Sequence, residues 1–213
     1  MKVFLDLDGT LIDISERHHQ VYSVTVNDFG GTPLEKARYW KLKRDNTPWP
    51  EILTLSSVSL EHEPRFMKDF TERIEDPAML ALDTLFAHST SVLTELKNTH
   101  ELILVSLRRN PQNLRTQLDQ LGITKFFAHI LSGHSNTKEG LLTKKAAVIQ
   151  ELGAVGEACI IGDTEADISA GKQLAITSIA VTTGIRSESF LSHLEPDYIA
   201  GSIEQVKDIV ESL

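Results

Sequence analysis

Short apolar runs alternate with helical stretches along most of this 213-residue chain, and this alternation limits the fold more than any other feature. The apolar runs predict strands, most clearly at residues 101–106, 128–131, 158–162 and 177–181. Strands that are separated by helices pair in parallel, because a parallel neighbour needs a long crossover connection. We therefore predict an α/β fold with a Rossmann-like parallel sheet as its core.

The segment 14–80 interrupts the alternation, since it contains no convincing strand. Ser15 is suited to cap a helix, and Gly30 favours the end of that helix. We therefore predict two domains. An α/β core is built from residues 1–13 and 81–213, and a helical cap, 14–80, is inserted after the first strand.

Two carboxylates follow the first apolar run, Val3-Phe4-Leu5: Asp6 and Asp8 come next, and Gly9 ends the segment. Residues i and i+2 of a strand lie on the same side, so both carboxylates would meet beyond the strand end. Carboxylates this close repel each other and stay ionised at low cost only beside a cation. Mg²⁺ prefers such oxygen ligands and often binds them together with a substrate phosphate. Gly9 permits a sharp turn whose amides can point at an anion.

Further polar side chains lie where later strands end. Asp163 follows the run 158–161, and Asp167 lies one helical turn later if a helix starts near Thr164. Ser106 ends the predicted strand 101–106, and a hydroxyl there can donate to a phosphoryl oxygen. These residues would meet Asp6 at one edge of a parallel sheet.

A pair of lysines, Lys144 and Lys145, precedes an amphipathic run. We expect the helix to start at residue 144, which places a lysine in its first turn, where the helix dipole mildly disfavours a cation. A lysine at this position is explained most easily by an anionic partner.

These motifs together resemble those of the haloacid dehalogenase superfamily of phosphohydrolases. The matching residues, in chain order, are Asp6, Asp8, Gly9, Thr10, Ser106, Lys145, Asp163 and Asp167. For the lysine, Lys138, Lys144 and Lys145 are all within range. We prefer Lys145 because Val148, Ile149 and Leu152 then lie on one helical face, as in the family.

The resemblance implies a Mg²⁺-dependent phosphatase with a helical cap, similar to the phosphoglycolate phosphatase-like branch. Asp6 would be the nucleophile that forms an aspartyl-phosphate, and Asp8 the acid/base. Ser106 and Lys145 would stabilise the transferring phosphoryl group. The implied Mg²⁺ ligands are the side chains of Asp6 and Asp163, the carbonyl of Asp8, and Asp167 either directly or through water.

Substrate contacts are expected near the same strand ends, from Gly9, Thr10, Leu107, Arg108 and Lys144. Arg108 is interpreted equally well as a surface charge. The alternative functions are a phosphosugar mutase of the same superfamily and a non-catalytic binding module on the same fold.

Composition limits the partners. The formal net charge of −9 argues against nucleic acid, because phosphate-rich polymers need a basic surface. No run approaches the ~18 consecutive apolar residues of a membrane span. The single cysteine, Cys159, suits a reducing compartment and a packed core position. We therefore expect a cytoplasmic monomer or homodimer that acts on a small phosphate ester, without nucleic-acid or membrane partners.

Overall fold

The structure is a computed structural model that describes residues 1–134 and 137–213. The described residues form two compact units, of which the larger comprises Met1–Asp13 and Thr84–Leu213 and the smaller comprises Ile14–Asp83. The division falls after Asp83, whose buried carboxylate accepts a hydrogen bond from Arg17 Nε at 3.0 Å within the smaller unit. The assignment of the units as a core domain and a cap domain stays a prediction.

A parallel sheet organises the larger unit. The described strands are β1 (Lys2–Leu5), β2 (Ile12–Asp13), β3 (Thr84–Leu85), β4 (Glu101–Ser106), β5 (His129–Ser132), β6 (Ala158–Gly162), β7 (Thr177–Val181) and β8 (Tyr198–Ala200). Six of these form one sheet in the order β5-β4-β1-β6-β7-β8, and each neighbouring pair is parallel. The predicted α/β fold with a parallel sheet is thereby confirmed.

Strand β1 lies at the centre of this sheet, where Leu5 is opposite both Leu104 and Ile161. The central strands are apolar without alternation because both faces of a parallel sheet are covered. From β1 the chain builds the sheet outward to β5 on one side, and then from β6 to β8 on the other. The order therefore reverses between β1 and β6, and the crevice beyond the carboxyl ends of such strands is where open α/β sheets bind ligands.

The helices are divided between the two units. Those of the smaller unit are α1 (Ser15–Asp28), α2 (Lys36–Arg44), α3 (Trp49–Leu55), α4 (Glu63–Arg73) and α5 (Pro77–Leu80), with a 3₁₀ turn at Leu60–His62. Those of the larger unit are α6 (Ser89–Lys97), α7 (Pro111–Gln120), α8 (Lys138–Gln150), α9 (Glu165–Leu174), α10 (Glu188–Ser192) and α11 (Ile203–Ser212), with a 3₁₀ turn at Thr124–Phe126.

Helix α8 starts earlier than the sequence pattern predicts. Its N-cap is Thr137, whose hydroxyl accepts a hydrogen bond from the N–H of Gly140 at 3.0 Å. The predicted start at residue 144 is therefore wrong, and Lys145 lies within the helix rather than in its first turn. The helix dipole thus gives no reason for this lysine to need an anionic partner, because its effect is confined to the terminal turns.

An aromatic cluster forms the core of the smaller unit. Tyr22 and Tyr39 stack with their ring centroids 4.1 Å apart, and Phe66 packs against Phe70 and Trp49. Aromatic rings bury large apolar areas, so a short helical segment can hold a core of its own. This explains why Ile14–Asp83 is compact although it contains no strand in the structure.

The chain leaves the larger unit and returns to it through one two-stranded ribbon. Strands β2 and β3 pair antiparallel, with Ile12 opposite Leu85 and Asp13 opposite Thr84. The carbonyl of Leu11 also accepts the N–H of Phe86 at 3.0 Å. Both crossings of the chain are thereby attached to each other within the larger unit.

Cys159 lies in strand β6 and is buried, and burial raises the pKa of its thiol to about 12. A thiol in this state is a packing group rather than a nucleophile. Among the described residues, no helix has both the length and the apolar character needed to span a membrane.

We expect Phe66→Ala to lower the free energy of unfolding of the smaller unit by about 3–5 kcal/mol, because it leaves a cavity in a fully buried aromatic core. Urea unfolding followed by tryptophan fluorescence measures this, since both tryptophans, Trp40 and Trp49, belong to this unit. Leu60→Ala is the control, because Leu60 is 50% exposed and its loss costs less than ~0.5 kcal/mol. Equal effects of the two substitutions would contradict this description of the core.

Candidate active site

Three buried carboxylates meet beyond the ends of β1 and β6. Asp6 follows β1 and its N–H donates to the carbonyl of Ile161 at 2.9 Å, while Asp163 follows β6. Asp167 lies in the first turn of α9. One carboxylate oxygen from each aspartate lies within 4.8 Å of the others. Asp6 of the first motif and both aspartates of the fourth are therefore brought together.

The ammonium group of Lys145 reaches this cluster from α8. Its Nζ lies 3.0 Å from Asp6 Oδ1 and 2.5 Å from Asp167 Oδ1, and the side chain is buried. The aliphatic stem of Lys144 lies against Gly133. The side chain of Lys138, the third candidate, lies outside the described residues.

When its three carboxylates are ionised, the acidic cluster carries more negative charge than Lys145 compensates. Burial raises the pKa of Asp6 to about 7, although Lys145 opposes this shift. Burial also raises the pKa of Asp163 well above its usual range, and the charges of Asp6 and Asp167 reinforce the effect. For Lys145, burial opposes the charged form, but the two carboxylates beside it outweigh burial and raise its pKa. One lysine thus faces three carboxylates, and this donor set fits a divalent cation.

Asp163 is held in place by backbone rather than by bulky side chains. The N–H of Ile185 donates to its Oδ2 at 2.6 Å, and Thr10 Oγ1 lies 3.5 Å from its Oδ1. A Cβ atom at Gly9 or Gly184 would lie 2.4 Å or 2.0 Å from Asp163 Oδ2. Both positions therefore require glycine, because any side chain would displace the carboxylate.

Asp167 has two tasks at once. Its Oδ2 accepts hydrogen bonds from the N–H and the hydroxyl of Thr164, at 3.1 and 2.7 Å, which completes a capping box at the start of α9. Its Oδ1 accepts from Lys145. The side chain that opens α9 therefore also fixes the lysine beside Asp6.

The turn after β1 is stabilised by hydrogen bonds from its own backbone amides. Gly9 adopts φ +76°, in the left-handed region that favours glycine. The N–H of Gly9 donates to the carbonyl of Ile12 at 2.9 Å, and that of Thr10 to Leu7 at 3.3 Å. These two amides stabilise the turn, so a role of Gly9 and Thr10 in substrate binding stays a prediction.

Ser106 is the last residue of β4, which pairs with β1, the strand that Asp6 follows. Ser106 is buried, and its Oγ accepts the N–H of Arg108 at 3.3 Å, which leaves its own O–H as a donor. Leu107 is half-buried, and its carbonyl lies 3.2 Å from His134 Nδ1. Arg108 is buried and pairs with Asp8, so its interpretation as a surface charge is wrong.

Several supporting residues were not predicted from the sequence. Thr164 was identifiable, because Thr-x-x-Asp before a helix is the pattern of a capping box. Gly184 and Ile185 lie in the segment after β7, just as Asp6 and Asp163 follow β1 and β6. Their position after a strand of the parallel sheet therefore indicated that they lie near the site. Gln117, which contacts Arg108, has no local sequence pattern that marks it.

Curated relatives match nearly the whole chain. Pyrophosphatase PpaX of Oceanobacillus iheyensis is 26% identical over 213 residues, which cover 98% of this chain and 94% of that protein. Phosphoglycolate phosphatase of Synechococcus elongatus is 22% identical over 219 residues, which cover 99% of this chain and 96% of that protein.

A solved structure shares the fold. The haloacid dehalogenase-like family hydrolase of Streptococcus pneumoniae superposes with a TM-score of 0.77 at 23% identity, covering 98% of this chain and 97% of that one. The family model described as "Haloacid dehalogenase-like hydrolase" matches residues 3–181, which include each of the three aspartates and Lys145. Since this match extends over most of the sequence, the chain belongs to the haloacid dehalogenase-like hydrolases.

Proposed function

We propose that this protein is a Mg²⁺-dependent phosphatase that hydrolyses a small phosphorylated metabolite through an aspartyl-phosphate on Asp6. The observation that carries this proposal is the meeting of three buried carboxylates and Lys145 beyond β1 and β6. The names of the relatives support it, since pyrophosphatase and phosphoglycolate phosphatase both denote hydrolysis of small phosphate compounds. The lone cysteine agrees with a cytoplasmic location.

The acidic cluster would hold the cation. Asp6 and Asp163 would supply carboxylate oxygens, Asp8 would supply its carbonyl, and Asp167 would contribute directly or through water. When bound, Mg²⁺ neutralises phosphate charge, so that an anionic nucleophile can approach an anionic substrate.

In the first step, a carboxylate oxygen of Asp6 attacks phosphorus and the bond from phosphorus to the leaving oxygen breaks. Asp8 gives a proton to that oxygen, which leaves as an alcohol. Lys145 holds Asp6 through its contact at 3.0 Å and offsets the charge of the transferring group. The hydroxyl of Ser106 donates to a phosphoryl oxygen.

In the second step, water attacks the aspartyl-phosphate, and Asp8 takes the proton from that water. The bond from phosphorus to Asp6 breaks, which releases phosphate and restores the carboxylate. These residues recognise only a phosphoryl group and a cation.

Removal of divalent metal is expected to abolish phosphate release, and Mg²⁺ is expected to restore it. Mg²⁺ should also raise the free energy of unfolding of chelator-treated protein, by about 2.7 kcal/mol at one hundred times its Kd, because it binds the folded chain and not the unfolded one. Asp163→Asn should lose most of this gain, whereas Glu157→Gln, at an exposed site, should keep it. Full activity in excess chelator would refute the metal requirement.

Asp6→Asn is expected to eliminate the phosphoenzyme, because the attacking carboxylate oxygen is lost. Asp8→Asn should slow turnover by about 10²–10⁴-fold through loss of proton transfer, while still forming phosphoenzyme with an aryl phosphate. Rapid quenching followed by hydroxylamine trapping measures the acyl phosphate. Substantial turnover by Asp6→Asn would exclude covalent catalysis on this residue. If the wild-type enzyme forms the phosphoenzyme but releases no inorganic phosphate, the mutase alternative is favoured.

Lys145→Ala should reduce kcat/KM more than Lys144→Ala, by about 2 kcal/mol or more of transition-state stabilisation. The reason is that the Lys145 ammonium lies between Asp6 and Asp167, whereas Lys144 packs on Gly133. Steady-state kinetics with one aryl phosphate compares the two variants. A larger loss of kcat/KM for Lys144→Ala would overturn the assignment. If neither variant loses activity, Lys138 becomes the candidate for the phosphate-contacting lysine.

A further inference from the structure

The guanidinium of Arg108 forms a two-pronged contact with Asp8. Its Nε donates to Asp8 Oδ2 and its Nη2 to Asp8 Oδ1, both at 2.7 Å. The Arg108 side chain is 4% exposed, whereas that of Asp8 is 23% exposed. A buried fork of this kind fixes both oxygens of a carboxylate, while Asp8 keeps an accessible edge.

Gln117 holds the guanidinium from the other side. It lies on α7, it is buried, and its Oε1 accepts a hydrogen bond from Arg108 Nη1. Each of the three guanidinium nitrogens therefore has a partner within the larger unit. The Arg108 backbone is also attached to the strand end, through its N–H to Ser106 Oγ.

The fork favours the ionised form of Asp8, which is the form that takes the proton from water in the second step. An ionised carboxylate has about four lone-pair positions, and the fork uses one on each oxygen. The fork by itself thus uses two of these four positions. The fork therefore limits rotation of the carboxylate without occupying all of its acceptor positions.

We propose that Arg108, supported by Gln117, is a positioning residue that orients the Asp8 carboxylate toward the leaving oxygen. The inference rests on the proposed function, because it assumes that Asp8 transfers the proton. Arg108 thus affects the reaction by orienting Asp8, and it does not itself bind the substrate. A misplacement of about 1 Å in a reacting group can cost ~10²-fold in rate, which is the scale of effect expected here.

Arg108→Lys keeps the positive charge but removes the planar fork. For phenyl phosphate, a poorer leaving group, we expect kcat to fall by about 10²-fold, because this reaction needs proton transfer. For 4-nitrophenyl phosphate, whose leaving group needs little help, the loss should be several times smaller. KM should change little for either substrate. Gln117→Met should show the same pattern with smaller losses.

The double variant Asp8→Asn/Arg108→Lys provides a second readout. If Arg108 acts only through Asp8, then Arg108→Lys costs less than about twofold once Asp8 is already replaced, since coupled residues are not additive. Arg115→Lys and Gln120→Met, at exposed positions of α7, are matched controls. Circular dichroism and the thermal midpoint report folding. If Arg108→Lys does not fold, the same comparison of the two substrates is made with Gln117→Met.

Three outcomes are decisive. Losses that depend on the leaving group and vanish in the Asp8→Asn background support the proposal. Equal losses on both substrates with a raised KM, or a further large loss in the Asp8→Asn background, would overturn it and make Arg108 a substrate ligand. No phosphate release by the wild-type enzyme from either substrate would instead refute the proposed function, and this inference with it.

Discussion

Burial of three carboxylates around one lysine is the constraint on which the rest of this site depends. Buried charges are expensive to desolvate, and they persist only when partners satisfy them. Here the partners come from separate elements: Lys145 from α8, Thr164 from the start of α9, and the N–H of Ile185 from the segment after β7. The positions of these elements around β1 and β6 are therefore linked to the charge of the cluster.

Parallel pairing makes this arrangement possible with few specialised residues. The strands bring Asp6, Ser106 and Asp163 to one edge, because β4, β1 and β6 are adjacent and run in one direction. Glycine then provides the space that the crowded carboxylates need, at Gly9 and Gly184. The chemistry thus depends on strand ends and small residues, while the apolar interior of the sheet supplies the stability.

The strands were predictable because their signal is local. The bounds predicted for residues 101–106, 158–162 and 177–181 agree with the observed strands, since a buried strand is a continuous apolar run between polar residues. Lys145 was also singled out by its register with Val148 and Ile149, although the argument from the helix start was wrong. The first three residues of α8 are Lys, Glu and Gly, so its capping by Thr137 was not visible in the apolar pattern.

Contacts between side chains distant in sequence could not be predicted in the same way. The pairing of Arg108 with Asp8 joins the ends of two strands, and that of Arg17 with Asp83 closes the smaller unit. Neither depends on a local period or on a turn motif. Their partners are determined only when the three-dimensional fold brings the residues together.

The ribbon of β2 and β3 makes the smaller unit exchangeable. Because Asp13 and Thr84 are cross-strand neighbours, Ile14–Asp83 begins and ends at the same point of the backbone. The entropy of closing such an excursion grows only with the logarithm of its length, so segments of very different size are tolerated there. A change in the length of Ile14–Asp83 is therefore expected to leave the strand register of the larger sheet, and the position of Asp6 before the ribbon, unaltered.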